Sequence, residues 1–342
     1  MPFLQHTSPI TPGTAPLHAL CFLCANQRAT LQIRRLTQLI LAFCFLLRVS
    51  APLRLAQHPD PARRASRSPV NIEYILFICD TLKFPRVPAC VSEALVLRTY
   101  PLREADLIVS FLTRDQGKLR GVAKRARRPK SGFGAGLERL SHVRMAYFQR
   151  ETRELVNLDS CELIHSQFAL VSDYWTGVAL DYFAEVTEQL LPSAEPGERF
   201  FRLLLAVLES LQPPAEGKAW RAVTYFSLWA LRLSGWLPEL NVCLGCGSLL
   251  DDPQTPERAF FTRGQAGLMC GHCRKSAGAA SSWELSAPSR ALAGEMLRKP
   301  VTGLQPMEWG PATGADLRRF LVQQIEAHAE RRLYTSRMFE SL

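Results

Sequence analysis

Four cysteines have the spacing of a metal site. Cys243 and Cys246 lie in CLGCG, Cys270 and Cys273 in CGHCR, and 23 residues separate the two Cys-x-x-Cys pairs. Four thiolates close a tetrahedron around an ion and leave no position for a catalytic water. The pattern predicts one structural Zn2+ held by Cys243, Cys246, Cys270 and Cys273 in a zinc ribbon, with His272 between two ligands as a possible substitute donor. A second group of residues suits a polyanion. VAKRARRPKSGFG, Val122 to Gly134, holds Lys124, Arg125, Arg127, Arg128 and Lys130 and no acid, and Lys118 and Arg120 precede it. Lysine and arginine neutralise phosphates and release their counterions, and aromatic faces stack on bases without reading sequence. The candidate nucleic-acid contacts are therefore Lys118, Arg120, Lys124, Arg125, Arg127, Arg128 and Lys130, with Phe133 in the loop and Tyr147 or Phe148 nearby as stacking rings.

The overall charge agrees. The 342-residue chain has a net charge of +10, unevenly spread. Residues 91–144 hold twelve Lys and Arg against five Asp and Glu, and residues 1–90 hold ten against three. The remainder is slightly acidic, so the positive field of the folded part is concentrated around one segment. Ten cysteines in a chain of this length are too few for a small secreted disulfide framework and suit a reducing, cytoplasmic setting. No Walker-type phosphate loop, Ser/His/Asp or Cys/His set, or paired carboxylates of a metal nuclease is present, so no enzymatic role and no small-molecule substrate are expected.

Two kinds of element must position these groups. Five short segments alternate in the manner of strands: 91–100, 105–114, 118–124, 141–151 and 152–163. A turn at DQGK, with Gly117 free to take positive φ, joins the second and third. Alternation puts Lys118, Arg120, Val122 and Lys124 on one face of the third strand and Leu119, Gly121 and Ala123 on the other. Five strands in about 70 residues imply a small barrel, since closure removes exposed edges. The period then becomes helical over 168–191, 197–211, 218–237, 286–299 and 314–342, with proline or glycine stops. The third of these is apolar nearly all round and should be buried. AFFTRGQAGLM reads as a hairpin turning at Arg263–Gly264 between the cysteine pairs.

Residues 1–89 have another character. Prolines interrupt them repeatedly, and the apolar run Leu36–Leu47 is too short to span a bilayer, so membrane attachment is not expected. Cys21 and Cys24 have no partner pair at ligand spacing. This segment reads as a disordered extension, or as sequence upstream of the true start.

The order of these parts resembles the bacterial RecO family of DNA repair and recombination proteins. The resemblance rests on Ala94–Leu97, the polar turn Arg103–Asp106, Leu112–Lys118, Ala123–Arg127 and the two cysteine pairs, and covers about residues 90–342. The family pattern has glycine after the Ala-Lys pair where this chain has Arg125. The resemblance implies an α+β architecture: an OB-fold barrel over 90–164, then a helical domain over 165–342 with a zinc ribbon at 240–276. It also implies binding of single- and double-stranded DNA, annealing of complementary strands, and work with RecR and single-stranded DNA-binding protein to load RecA. A zinc-ribbon protein of RNA or transcription is the rival reading.

Overall fold

The computed structural model describes residues 90–149, 154–212, 217–251, 258–279, 281–305 and 307–340. The apolar run Leu36–Leu47 and the Cys21/Cys24 pair lie outside the described residues. Within them, no helix is long and apolar enough to cross a membrane.

Five strands form a closed barrel: β1 (Cys90–Pro101), β2 (Leu107–Thr113), β3 (Gly117–Ala123), β4 (His142–Phe148) and β5 (Val156–His165), in the order β1-β2-β3-β5-β4. Neighbours are antiparallel except β3 and β5. These close the barrel in parallel through Gly121, Val122 and Ala123 against Val156, Asn157 and Leu158. The closure depends on Gly121, since a Cβ there would fall 2.7–2.8 Å from Leu158 and Val156 side-chain atoms. Gly117 takes φ 74° in the β2–β3 turn, and a Cβ there would overlap the Glu195 carbonyl oxygen. Alternation fills the interior with Ala94, Val96, Val109, Phe111, Val143, Met145 and Tyr147, each at most 1% exposed. This is the small barrel expected from the strand pattern, OB-like as the family resemblance implies.

The helical half begins with α1 (Tyr174–Leu190), whose N-cap Asp173 accepts from the Thr176 amide at 2.8 Å. α2 (Glu198–Ser210) and α3 (Lys218–Leu233) follow. α3 is buried on nearly every side, packed against α1, α2 and a later helix, and its Ser227 hydroxyl meets Tyr182 at 2.7 Å. Next come β6 (Ala259–Phe261), the six-residue α4 (Gly271–Ser276) and β7 (Trp283–Leu285), which pairs with β6. α5 (Ala287–Arg298), α6 (Ala315–His328) and the short α7 (Ser336–Glu340) end the described chain. The helical pattern over 314–342 predicts one helix. In fact Glu330 turns left-handed, φ 53°, and α6 and α7 are separate. The Glu326 carboxylate accepts from the Leu333 amide and the Ser336 hydroxyl, which stabilises the break.

The two halves share one apolar core. Leu95, Leu97 and Leu112 on the outer barrel face, with Leu140, join Phe183, Phe200, Phe201 and Phe226 of the helices. Polar groups edge this contact. Glu188 of α1 accepts from the Tyr100 hydroxyl at 3.0 Å and from Arg120 at 3.3 Å, and its backbone carbonyl accepts from the Lys118 ammonium at 2.6 Å. Arg139 pairs with Asp181. Burial raises the Tyr100 pKa, with the Glu188 charge adding to it.

Candidate nucleic-acid interface and metal centre

The chain leaves the barrel after Ala123 and does not return until His142. Pro129 and the glycines bar another strand, so the excursion is a loop, and its base is fastened. The Arg125 amide donates to Asp106 Oδ1 at 2.8 Å, and the Arg127 amide to the Ala105 carbonyl at 3.1 Å. Turn bonds then run from Arg128 to Arg125 and from Ser131 to Arg128. Lys124, Arg125, Arg127, Arg128 and Lys130 are all exposed. Among the described residues none of the five is in an ion pair. Five uncompensated charges on an anchored loop make a surface ready for an anion.

Two expected contacts sit elsewhere. Lys118 does lie on the outer face of β3, but the helical half covers that face. It is 7% exposed, its ammonium rests on the Glu188 carbonyl, and burial lowers its pKa. Phe133 is 5% exposed and packs into the barrel interior with the partly buried Ala126 and Leu137. It closes the barrel and presents no face to a base. Tyr147 is also interior, edge-on to Phe111 at 6.0 Å, whereas Phe148 is exposed. Arg120 is half exposed and bridges to Glu188. The structure thus brings the five loop cations together, leaves Arg120 near them, and separates Lys118 and Phe133 from them.

The four cysteines converge as their spacing predicts. Their sulfur atoms all lie within 4.8 Å of one another, and Cys246 Sγ is 3.9 Å from Cys270 Sγ. A tetrahedral ion with sulfur bonds of about 2.3 Å needs neighbouring sulfurs about 3.8 Å apart, so the donor set fits a metal ion. The knuckles are shaped by their own backbone. Gly247 takes φ 73°, and its amide donates to the Cys243 carbonyl at 2.9 Å. The Cys270 amide donates to Cys243 Sγ at 3.2 Å, and Cys270 Sγ caps α4 by accepting from the Cys273 amide at 3.4 Å. The expected hairpin is present: Phe260 and Met269 exchange two 2.8 Å bonds around a turn at Arg263–Gly264. The Ser248 hydroxyl and amide pull the Cys246 thiol down to about 6. Hydrogen bonding with Cys246 and then Cys270 pushes Cys273 up to about 12. Crowded thiols resist losing all four protons, and a cation at their centre removes that resistance. All four positions are filled by protein, so the site has the form of a structural one.

The family model described as "Recombination protein O N terminal" matches residues 89–167, and "Recombination protein O C terminal" matches residues 171–337. A DNA repair protein RecO from Koribacter versatilis is 47% identical over 251 residues, 73% of this chain and 98% of that protein. The chain belongs to the RecO family. More distant RecO proteins are similar over the same extent. That of Anaeromyxobacter sp. (strain Fw109-5) is 31% identical over 252 residues, 72% of this chain and 94% of its own length. That of Symbiobacterium thermophilum is 30% identical over 253 residues, 73% and 96%. It is a family of DNA repair proteins, and this chain carries its barrel, its helical half and a cysteine cluster able to hold a metal.

Arg125 stands where the backbone has φ 56°, the left-handed region that costs any side-chain-bearing residue energy. Arg125 accepts that strain and adds a charge. Sequence reasoning missed Tyr100, Glu185 and Glu188. The signal was present in two acids among the apolar residues of one helix, at the i, i+3 spacing that places them on a common face.

Proposed function

We propose that the protein is a non-catalytic mediator of DNA repair and homologous recombination that holds DNA on the basic loop Lys124–Lys130, with Arg120 at its edge. The observation that carries this reading is the loop itself: five exposed, unpaired cations on a backbone fastened to Asp106 and Ala105. Phosphate contact by such a surface is independent of sequence and suits single and double strands alike. By screening two backbones at once, it lowers the repulsion between complementary strands and promotes annealing, which requires no covalent chemistry. Family membership supports the rest of the pathway: cooperation with RecR and single-stranded DNA-binding protein, and through them the loading of RecA, in the cytoplasm at the nucleoid. Residues 90–164 act as the DNA-binding domain and 165–342 as the helical domain with its ribbon at 240–276. Cys243, Cys246, Cys270 and Cys273 hold one Zn2+, whose part is to keep the ribbon folded.

Titration of labelled single-stranded DNA at several salt concentrations tests the site. Replacing Lys124, Arg125, Arg127 and Arg128 by alanine removes four phosphate contacts and should reduce the slope of log K against log salt by about 2.8. An unchanged slope would remove the loop from the site. Annealing of complementary strands coated with single-stranded DNA-binding protein distinguishes this role from that of an RNA- or transcription-associated ribbon protein, which would not accelerate it.

A further inference from the structure

The C-terminal segment between α6 and α7 presents one aromatic ring in an unusual way. Tyr334 is 71% exposed, yet the backbone around it is tightly held. Its amide donates to Glu185 Oε1 at 2.7 Å, and the Thr335 amide and hydroxyl donate to Glu185 Oε2 at 2.9 and 2.7 Å. On either side Leu333 is fully buried and Thr335 is 3% exposed. A large ring kept in water by a rigid backbone contributes little to folding; it is a pre-set surface.

Tyr334 lines a cleft of about 210 Å³ between the two halves of the protein, whose walls include Arg98 and Arg139 of the barrel half. The acids of this cleft are internally engaged. Asp181 pairs with Arg139, Glu188 accepts from Tyr100 and Arg120, and Glu185 holds the Tyr334–Thr335 backbone. Arg98 has only the Tyr100 ring beneath it, 5.4 Å from the centroid, and no ion pair among the described residues. Arg331, Arg332 and Arg337 flank the tyrosine in sequence, and all three are exposed and unpaired among the described residues.

The barrel register fixes how far this cleft lies from the basic loop, although Ser110 between them is fully buried. Arg98, Ser110 and Arg120 lie in one row across β1, β2 and β3, and Lys124 follows Arg120 by four residues. Two strand spacings and four residues of rise give roughly 16 Å from Arg98 to Lys124. Loop cations at one end, and an exposed tyrosine among arginines at the other, combine the two elements of single-strand binding: charge along the backbone and a ring for the bases.

We infer that Tyr334 is a base-stacking platform for single-stranded DNA whose backbone the basic loop holds. This inference rests on the DNA-binding reading above. The test compares oligo-dT affinity of the full chain with those of Tyr334→Ala, Tyr334→Phe and the four-cation loop variant, each at several salt concentrations. Tyr334→Ala should weaken binding between about fivefold and a hundredfold with the salt slope unchanged, while Tyr334→Phe keeps wild-type affinity. In a second arm, Arg331→Gln with Arg332→Gln should lower the slope by about 1.4. Wild-type affinity in Tyr334→Ala, or an equal loss in Tyr334→Phe, would overturn the platform while leaving the loop site standing. A loop variant with an unchanged slope would bring down the underlying DNA reading instead.

Discussion

Replacing Arg125 by glycine should strengthen the fold and weaken DNA binding at the same time. The residue sits at φ 56°, where a Cβ crowds the backbone, and its amide is committed to Asp106. Left-handed conformation costs a residue with a side chain about 1–2 kcal/mol. The greater freedom of glycine in the unfolded chain offsets about 0.4–1 kcal/mol of that relief. The net expectation is about 0.5–1 kcal/mol of added stability, a rise of about 1–4 °C in melting temperature. DNA binding moves the other way. One lost phosphate contact lowers the single-strand salt slope by about 0.7. Arg125→Ala is the decisive companion: it loses the same contact but keeps the Cβ and hence the strain. Urea denaturation and DNA titrations on the three proteins complete the experiment. The two variants should bind DNA alike and differ in stability. Equal stability in the glycine and alanine variants would refute the strain argument, and a wild-type salt slope in both would refute the phosphate contact.

Other expectations follow from the same geometry. Cys243→Ala, or treatment with a strong chelator, should release one metal ion per chain and lower thermal stability before DNA affinity falls, as read by metal analysis beside calorimetry. Glu188→Ala leaves Tyr100 without its acceptor and Arg120 without its counter-charge, and should cost about 1–3 kcal/mol in denaturant unfolding. His142 is packed edge-on to Phe201 at 5.9 Å, and burial holds its pKa below the usual 6.5, against the pull of Glu93. The unfolded chain therefore binds a proton there first, so stability should fall as pH drops from 6.5 toward the folded pKa. That part of the pH dependence should vanish in His142→Gln.

The strands were readable because alternation is a strong signal where one face is buried: Val143, Met145 and Tyr147 point inward as their period requires. The four-cysteine cluster was readable because two short knuckles carry their own geometry. Lys118 shows the limit. Alternation assigns a residue to a face, but not what covers that face, and here a helix from 70 residues further on does so. Phe133 was obscured because a ring in a glycine-bearing loop has no period to reveal its direction. The break at Glu330 was hidden for another reason: it depends on carboxylates, Glu326 and Glu185, which stabilise an irregular backbone that intrinsic propensity alone would leave helical.

The tie between Glu185 and Thr335 joins residues 150 positions apart. At a ribosomal rate of about 5–20 residues per second, α1 is complete for roughly 8–30 s before its carboxylate can meet Thr335. Through that interval the Glu185 carboxylate is left to water, and synthesis of residues 334–335 supplies the groups that replace it. A chain cut short near residue 330 would keep the barrel and its basic loop but lack Tyr334 and the groups that Glu185 holds. Synthesis through Thr335 thus completes the surface that Glu185 organises.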